Sequence, residues 1–295
     1  MSASYFIRSR FMQKKFIFHL CAVILLGTVL ILPSPIMADE NAGLLLLPTR
    51  IVLGERNRNV ELLVKNNGGA RGLYRIEVID MDMQENGAIQ PLEGDKEEPF
   101  SAKKFIHISP RQMILEPDQT QTLRVIVRKP SGLEDGEYRA HIKATVVENN
   151  VDPSGSPISP KEPEKGMSVA VKTRFSIVIP VLVMQGQLHV NVAFGETKLR
   201  EENGAYYLDT EITREGNRSG FGDITVTYQP AAGDKPTVVK YQPGLAVYRP
   251  MAKRKISLPL DVPKGMKIAN GKLIMTYTTQ EKDGGALLAQ KEIGI

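Results

Sequence analysis

Beyond residue 40, apolar and polar residues alternate with a period of two along most of the chain. Val60, Leu62 and Val64 alternate with Glu61, Leu63 and Lys65, and Asn66-Asn67-Gly68-Gly69 ends the run. Tyr74, Ile76 and Val78 alternate with Arg75 and Glu77, and Asn86-Gly87 soon follows as a tight-turn signal. Leu123, Val125 and Val127 alternate with Arg124 and Arg128. Tyr138, Ala140, Ile142, Ala144 and Val146 alternate with Arg139, His141 and Lys143, which reads His141 as an exposed strand residue. A period of two means strands with one face in a core. The segment 149–165 differs: Pro153, Pro157, Pro160 and Pro163 stand among Gly, Ser and charges, so it reads as a loop. After it, from Met167 to Met184, one face carries Met167, Val169, Val171, Thr173, Phe175, Ile177 and Ile179. The other begins Ser168, Ala170, Lys172, Arg174, Ser176.

The pattern restarts after Gln185-Gly186-Gln187 with Leu188, Val190 and Val192. Further strands are predicted at Ala205–Thr213, Asp223–Gln229, Thr237–Tyr241, Lys255–Leu260, Gly271–Thr279 and Leu287–Ile293. No convincing amphipathic helix interrupts them. Many short strands with turn signals between them predict an all-β chain of two immunoglobulin-like β-sandwich domains. The first is expected over 39–184 and the second over 185–295.

The N-terminus stands outside this pattern. Arg8, Arg10, Lys14 and Lys15 precede an uncharged apolar run from Phe16 to Leu32, and Ala38 ends the segment Pro33–Ala38. That order predicts a secretory signal peptide over 1–38, or an inner-membrane tether if it is not cleaved, and so a periplasmic protein. The net charge of +5 falls to +1 once those four basic residues are removed, so the basic balance is no argument for nucleic-acid binding. The one cysteine, Cys21, lies in the apolar run. Without it the chain has no thiol for a nucleophile, a metal site or a disulfide framework.

Catalytic patterns are also missing. His107, His141 and His189 sit on separate predicted strands, without the close spacing of a zinc site on one element. Ser154-Gly155-Ser156 lies in the proline-rich loop and lacks the strand–turn–helix setting of a nucleophile elbow. Asp80-Met81-Asp82 does not continue in calcium-loop register. No glycine-rich phosphate loop occurs. The expectation is a binding protein, not an enzyme, with no cofactor, no metal, no nucleic acid and no small-molecule substrate.

Three segments carry a family resemblance. Ile108-Ser109-Pro110-Arg111-Gln112-Met113-Ile114-Leu115-Glu116-Pro117, running into Gln121-Thr122-Leu123-Arg124-Val125, resembles the proline-containing strand, turn and following strand of the periplasmic pilus-assembly chaperones, the PapD-like family. Pro48-Thr49-Arg50-Ile51-Val52 resembles that family's first strand, and Val169-Ala170-Val171-Lys172-Thr173-Arg174 the last strand of its first domain.

The resemblance implies donor-strand complementation. A pilus subunit is an incomplete sandwich whose open groove exposes apolar core and unpaired backbone, and the chaperone lends an edge strand to fill it. Met167, Val169 and Val171 match the donor residues by position. The family grips the subunit's C-terminal carboxylate with two basic residues, one of which maps to Arg50. The second falls on Ser176 when the strands are aligned on Thr173, so Arg174, on the same face, is expected to take that role. The implied partners are secreted pilus or fimbrial subunits and an outer-membrane usher. The alternative is an exported structural or adhesive module with a permanent protein partner. The long polar loop before the donor strand, and Ile179-Pro180 in place of the family's Arg-Pro, mark a divergent member.

Overall fold

A computed structural model describes residues 42–92, 96, 98–158, 175–231, 233 and 235–295. The expected signal peptide, the donor residues Met167, Val169 and Val171, and Arg174 lie outside the described residues. The first eleven strands are β1 (Leu45–Leu47), β2 (Ile51–Leu53), β3 (Asn59–Lys65), β4 (Gly72–Ile79), β5 (Met81–Met83), β6 (Ile89–Pro91), β7 (Ile106–Ser109), β8 (Gln112–Leu115), β9 (Thr120–Val127), β10 (Gly136–Asn149) and β11 (Ser176–Gln185). The rest are β12 (Val190–Glu202), β13 (Ala205–Gly216), β14 (Gly220–Pro230), β15 (Thr237–Val247), β16 (Lys253–Pro259), β17 (Gly271–Thr278) and β18 (Leu287–Gly294). No α-helix occurs among the described residues, and none of their helices is long and apolar enough to cross a membrane.

The chain is all-β and builds two sandwiches. In the first, one sheet has the order β1-β3-β9-β7 and the other β2-β11-β10-β4-β8. Two pieces of chain begin in one sheet and end in the other: β1 passes into β2 across cis-Pro48, and β7 into β8 across cis-Pro110. The alternation sets the packing. Leu62, Val64, Tyr74, Ile76, Leu123, Val125, Ile142 and Ala144 turn inward and are at most 1% exposed. Their odd-numbered or even-numbered neighbours on each strand face out. The second sandwich stacks β12-β13-β16 on β15-β14-β17-β18, around Leu208, Ile212, Ile224, Val226, Leu273, Met275 and Tyr277.

A small hairpin, β5–β6, leaves the first sandwich and lies against the second. Its turn uses the Asn86-Gly87 pair: Gln84 N–H donates to Ala88 O at 2.9 Å, and Gly87 has φ +85°. A Cβ at that position would also meet the Arg254 guanidinium of β16, which would have to shift, while the positive φ is what favours glycine here. Lys255 N–H of β16 donates to Glu85 O at 2.6 Å, and its Nζ lies 3.1 Å from the Glu85 carboxylate. Met83 joins Leu182, Ala246 and Tyr248 in an apolar cluster between the two sandwiches.

That junction corrects one expectation. His141 is 3% exposed, not a surface residue. Glu137, Arg139 and His141 form the outward row of β10, yet this end of the strand is covered on both faces.

Candidate functional site

Arg50 immediately precedes β2, and β2 lies parallel to β11 with Ile51 opposite Val181 and Leu53 opposite Val183. Below Val181 this side of β11 has no strand partner among the described residues. The direction of its backbone groups follows from the other side. Val146 N–H donates to Phe175 O at 3.2 Å, and Ile177 and Ile179 stand opposite Ala144 and Ile142. Odd-numbered residues of β11 therefore bond β10, and even-numbered ones face away. Ser176 and Val178 each present an N–H and a C=O to this open edge, while the C=O of Pro180, also directed away from β10, is taken up by the start of β2. A proline fits there because its missing donor is not needed by the β10 ladder. The open edge runs directly up to Arg50.

The Arg50 guanidinium rests on the second sandwich. Its Cζ lies 3.7 Å from the centroid of the Phe221 ring of β14, and Nη1 donates to the Tyr248 hydroxyl at 3.4 Å. It has no carboxylate partner among the described residues. A planar cation stacked on a ring keeps its in-plane N–H groups available for an anion. Burial pushes the Tyr248 hydroxyl up, against the opposing pull of Arg50 and Arg139, so it stays a neutral donor and acceptor.

Arg139 packs on the Tyr248 ring, with Cζ 4.5 Å from its centroid. Its Nη2 donates to Met81 O at 3.1 Å and lies 3.7 Å from Glu98. Burial pushes Arg139 down and Glu98 up, with each opposing the shift of the other. Nη1 of Arg139, Oε1 of Glu98 and Nδ1 of His141 are buried without a hydrogen-bond partner among the described residues. Burial, followed by the Arg139 charge, pushes His141 down to about 3. Further along the junction, Ser219 Oγ donates to the Glu137 carboxylate, and Ser219 N–H donates to its other oxygen at 3.2 Å. Arg249 stacks on Phe100 with Cζ 3.3 Å from the centroid, and its N–H donates to Ser219 Oγ at 3.0 Å.

Of the expected anchor pair, Arg50 is placed in the cleft. Ser176, the aligned position of the second, shares a 2.8 Å hydrogen bond with Thr145. Phe221, Tyr248 and Arg139 were not singled out from sequence. No motif links Arg50 to Tyr248 across 198 positions, and only the fold joins them. Among the described residues no cluster of three or more His, Cys, Asp or Glu side chains is placed to hold a metal.

No protein-family model and no curated protein matches this sequence. Solved structures do. The CupB2 chaperone of Pseudomonas aeruginosa aligns over 85% of this chain and 100% of its own, at 13% identity and TM-score 0.42. The E. coli chaperone DraB aligns over 86% and 98%, at 16% identity and TM-score 0.41. The periplasmic chaperone SfaE aligns over 86% and 100%, at 15% identity and TM-score 0.40. Identity this low leaves function to rest on the chain's own residues.

Proposed function

We propose that the protein is a periplasmic chaperone that holds incomplete immunoglobulin-like pilus or fimbrial subunits by strand addition and delivers them to an outer-membrane usher. One observation carries this reading: the open edge of β11 ends at Arg50. A client strand added there and running parallel to β11 would lie in line with β2, end to end. Its C-terminus would meet Arg50 head-on. The donors and acceptors of Ser176 and Val178, unpaired among the described residues, supply backbone pairing that any sequence can use. Arg50, stacked on Phe221 and without a carboxylate partner among the described residues, supplies a charge-assisted bond to a terminal carboxylate. The Tyr248 hydroxyl lies beside it as a further donor.

In this reading Met167, Val169 and Val171 extend the donor face toward the client core, and Arg174 is the second anchor. Binding energy comes from pairing and burial, so no catalytic group or cofactor is required.

The test is a periplasmic pull-down of wild type beside Arg50→Ala and Arg174→Ala, with partners identified by mass spectrometry. Wild type is expected to retain small secreted β-rich subunits, and Arg50→Ala to lose them by more than about tenfold, as for a charge-assisted bond of about 1.5–3 kcal/mol. Equal retention by wild type and Arg50→Ala sinks the carboxylate anchor. Partners that stay bound when a complementary subunit strand is offered favour a permanent structural complex.

A further inference from the structure

The edge of the first sandwich farthest from Arg50 is also open among the described residues. β7 is the last strand of its sheet, and Arg128 N–H donates to Phe105 O at 2.8 Å. With Ile106 opposite Val127, the Phe105 C=O and the backbone groups of His107 and Ser109 therefore face β9, and those of Ile106 and Ile108 face outward. On the other sheet, β8 covers β4 only as far as Arg75, and Ile76 N–H takes the last bond, to Arg111 O at 2.9 Å. At Val78 the neighbouring chain has already crossed to the opposite sheet through Pro110, so Val78 faces outward unpaired among the described residues. Between these two edges lies a groove of about 570 Å³. Its floor is the side of the core at Ile76, Ile106 and Ile108, and exposed Arg75, Lys103 and Arg111 stand on its rim against one acid, Glu77.

We infer that this groove is a second docking surface, taking a short extended segment of a partner protein in which acidic residues alternate with apolar ones. The backbone of such a segment pairs with Ile106 and Ile108 on one side or Val78 on the other, as an added strand. Its apolar side chains fill the gap over the isoleucines. Its carboxylates meet a rim with three positive charges and one negative, which sets both the sign of the partner and its rate of encounter. The groove and the Arg50 edge belong to opposite sides of the same sandwich, since β7 and β8 are at one end of the two sheets and β1 and β2 at the other. One chain can then hold two partners at once, which goes beyond the client-binding reading and does not depend on it.

The test uses the full chain and a short synthetic peptide alternating Glu with Val and Ile, with binding followed by fluorescence anisotropy and amide hydrogen exchange. Saturable binding is expected, with new protection at Ile106, Ile108 and Val78. Arg75→Glu with Arg111→Glu should weaken it by at least about tenfold, while Arg50→Ala leaves it unchanged. Both reversed arginines are exposed, and far-UV circular dichroism checks that the variant is folded. The inference is overturned by a lack of saturable binding. Equal binding of a Lys-for-Glu peptide, or of one N-methylated at alternate amides, also overturns it, as does protection that falls elsewhere.

Discussion

The two halves of β10 carry the same alternation and have different surroundings. In the second half, Ile142, Ala144 and Val146 are buried while Lys143 and Thr145 are half-exposed, as expected for a sheet with one wet face. In the first half, Tyr138 and Ala140 face the core, and Glu137, Arg139 and His141 are also buried, beneath the β5–β6 hairpin and the second sandwich. Alternation reports which residues share a face. It does not report what a distant part of the chain lays over the other face. Arg, His and Glu on an outward row are usually wet because burying them costs so much without partners. Here the partners come from far away: Glu98 for Arg139, and Ser219 for Glu137.

The difference can be broken by substitution. Arg139→Ala leaves Glu98 buried without its cation, and is expected to destabilise by about 3–5 kcal/mol in urea unfolding. A loss under about 1 kcal/mol would mean that the row is hydrated. Acid should act next. His141 is held near 3 when folded and titrates near 6.5 when unfolded, so its folded pKa is depressed. Its contribution is complete above pH 6.5 and is lost as pH falls from there towards 3. Stability should drop by up to about 1.4 kcal/mol per pH unit across that window, and His141→Gln should flatten that part of the curve. Ser219→Ala removes a hydrogen bond to the buried Glu137 carboxylate and should cost about 1–3 kcal/mol. Lys143→Ala, on the same row but in the open half, should change stability by less than about 0.5 kcal/mol. If Lys143 matters as much as Arg139, the contrast between the halves is wrong.

Much of the fold was legible because strands announce themselves locally. The inward rows of β3, β4, β9 and β10 follow directly from Leu62, Tyr74, Leu123 and Tyr138 and their alternate neighbours. The Asn86-Gly87 turn was legible too, since the left-handed backbone it needs belongs to few residues. The hairpin's role was not: nothing around Glu85 tells that its carbonyl bonds Lys255 of another sandwich. The same holds at the cleft. Arg50 could be pointed to by a short motif, whereas Phe221 and Tyr248 are ordinary aromatic residues until the chain brings them against its guanidinium. The groove beside β7 was hidden for a further reason. It exists because Pro110 sends the chain across the sandwich, and a gap between two sheets has no sequence of its own.

β11 is a continuous strand from Ser176 to Gln185, held along its length by β10, and only Gly186–His189 separate it from β12. Tension applied at its upstream end would run along the strand axis, across the direction of its hydrogen bonds, so that many bonds resist together and none peels first. What survives that resistance would arrive at the second sandwich within four residues. The strand that borders the open edge is thus also the tie-rod between the two halves of the molecule, and a tug on anything held at that edge would be felt at the far end without any hinge having to open.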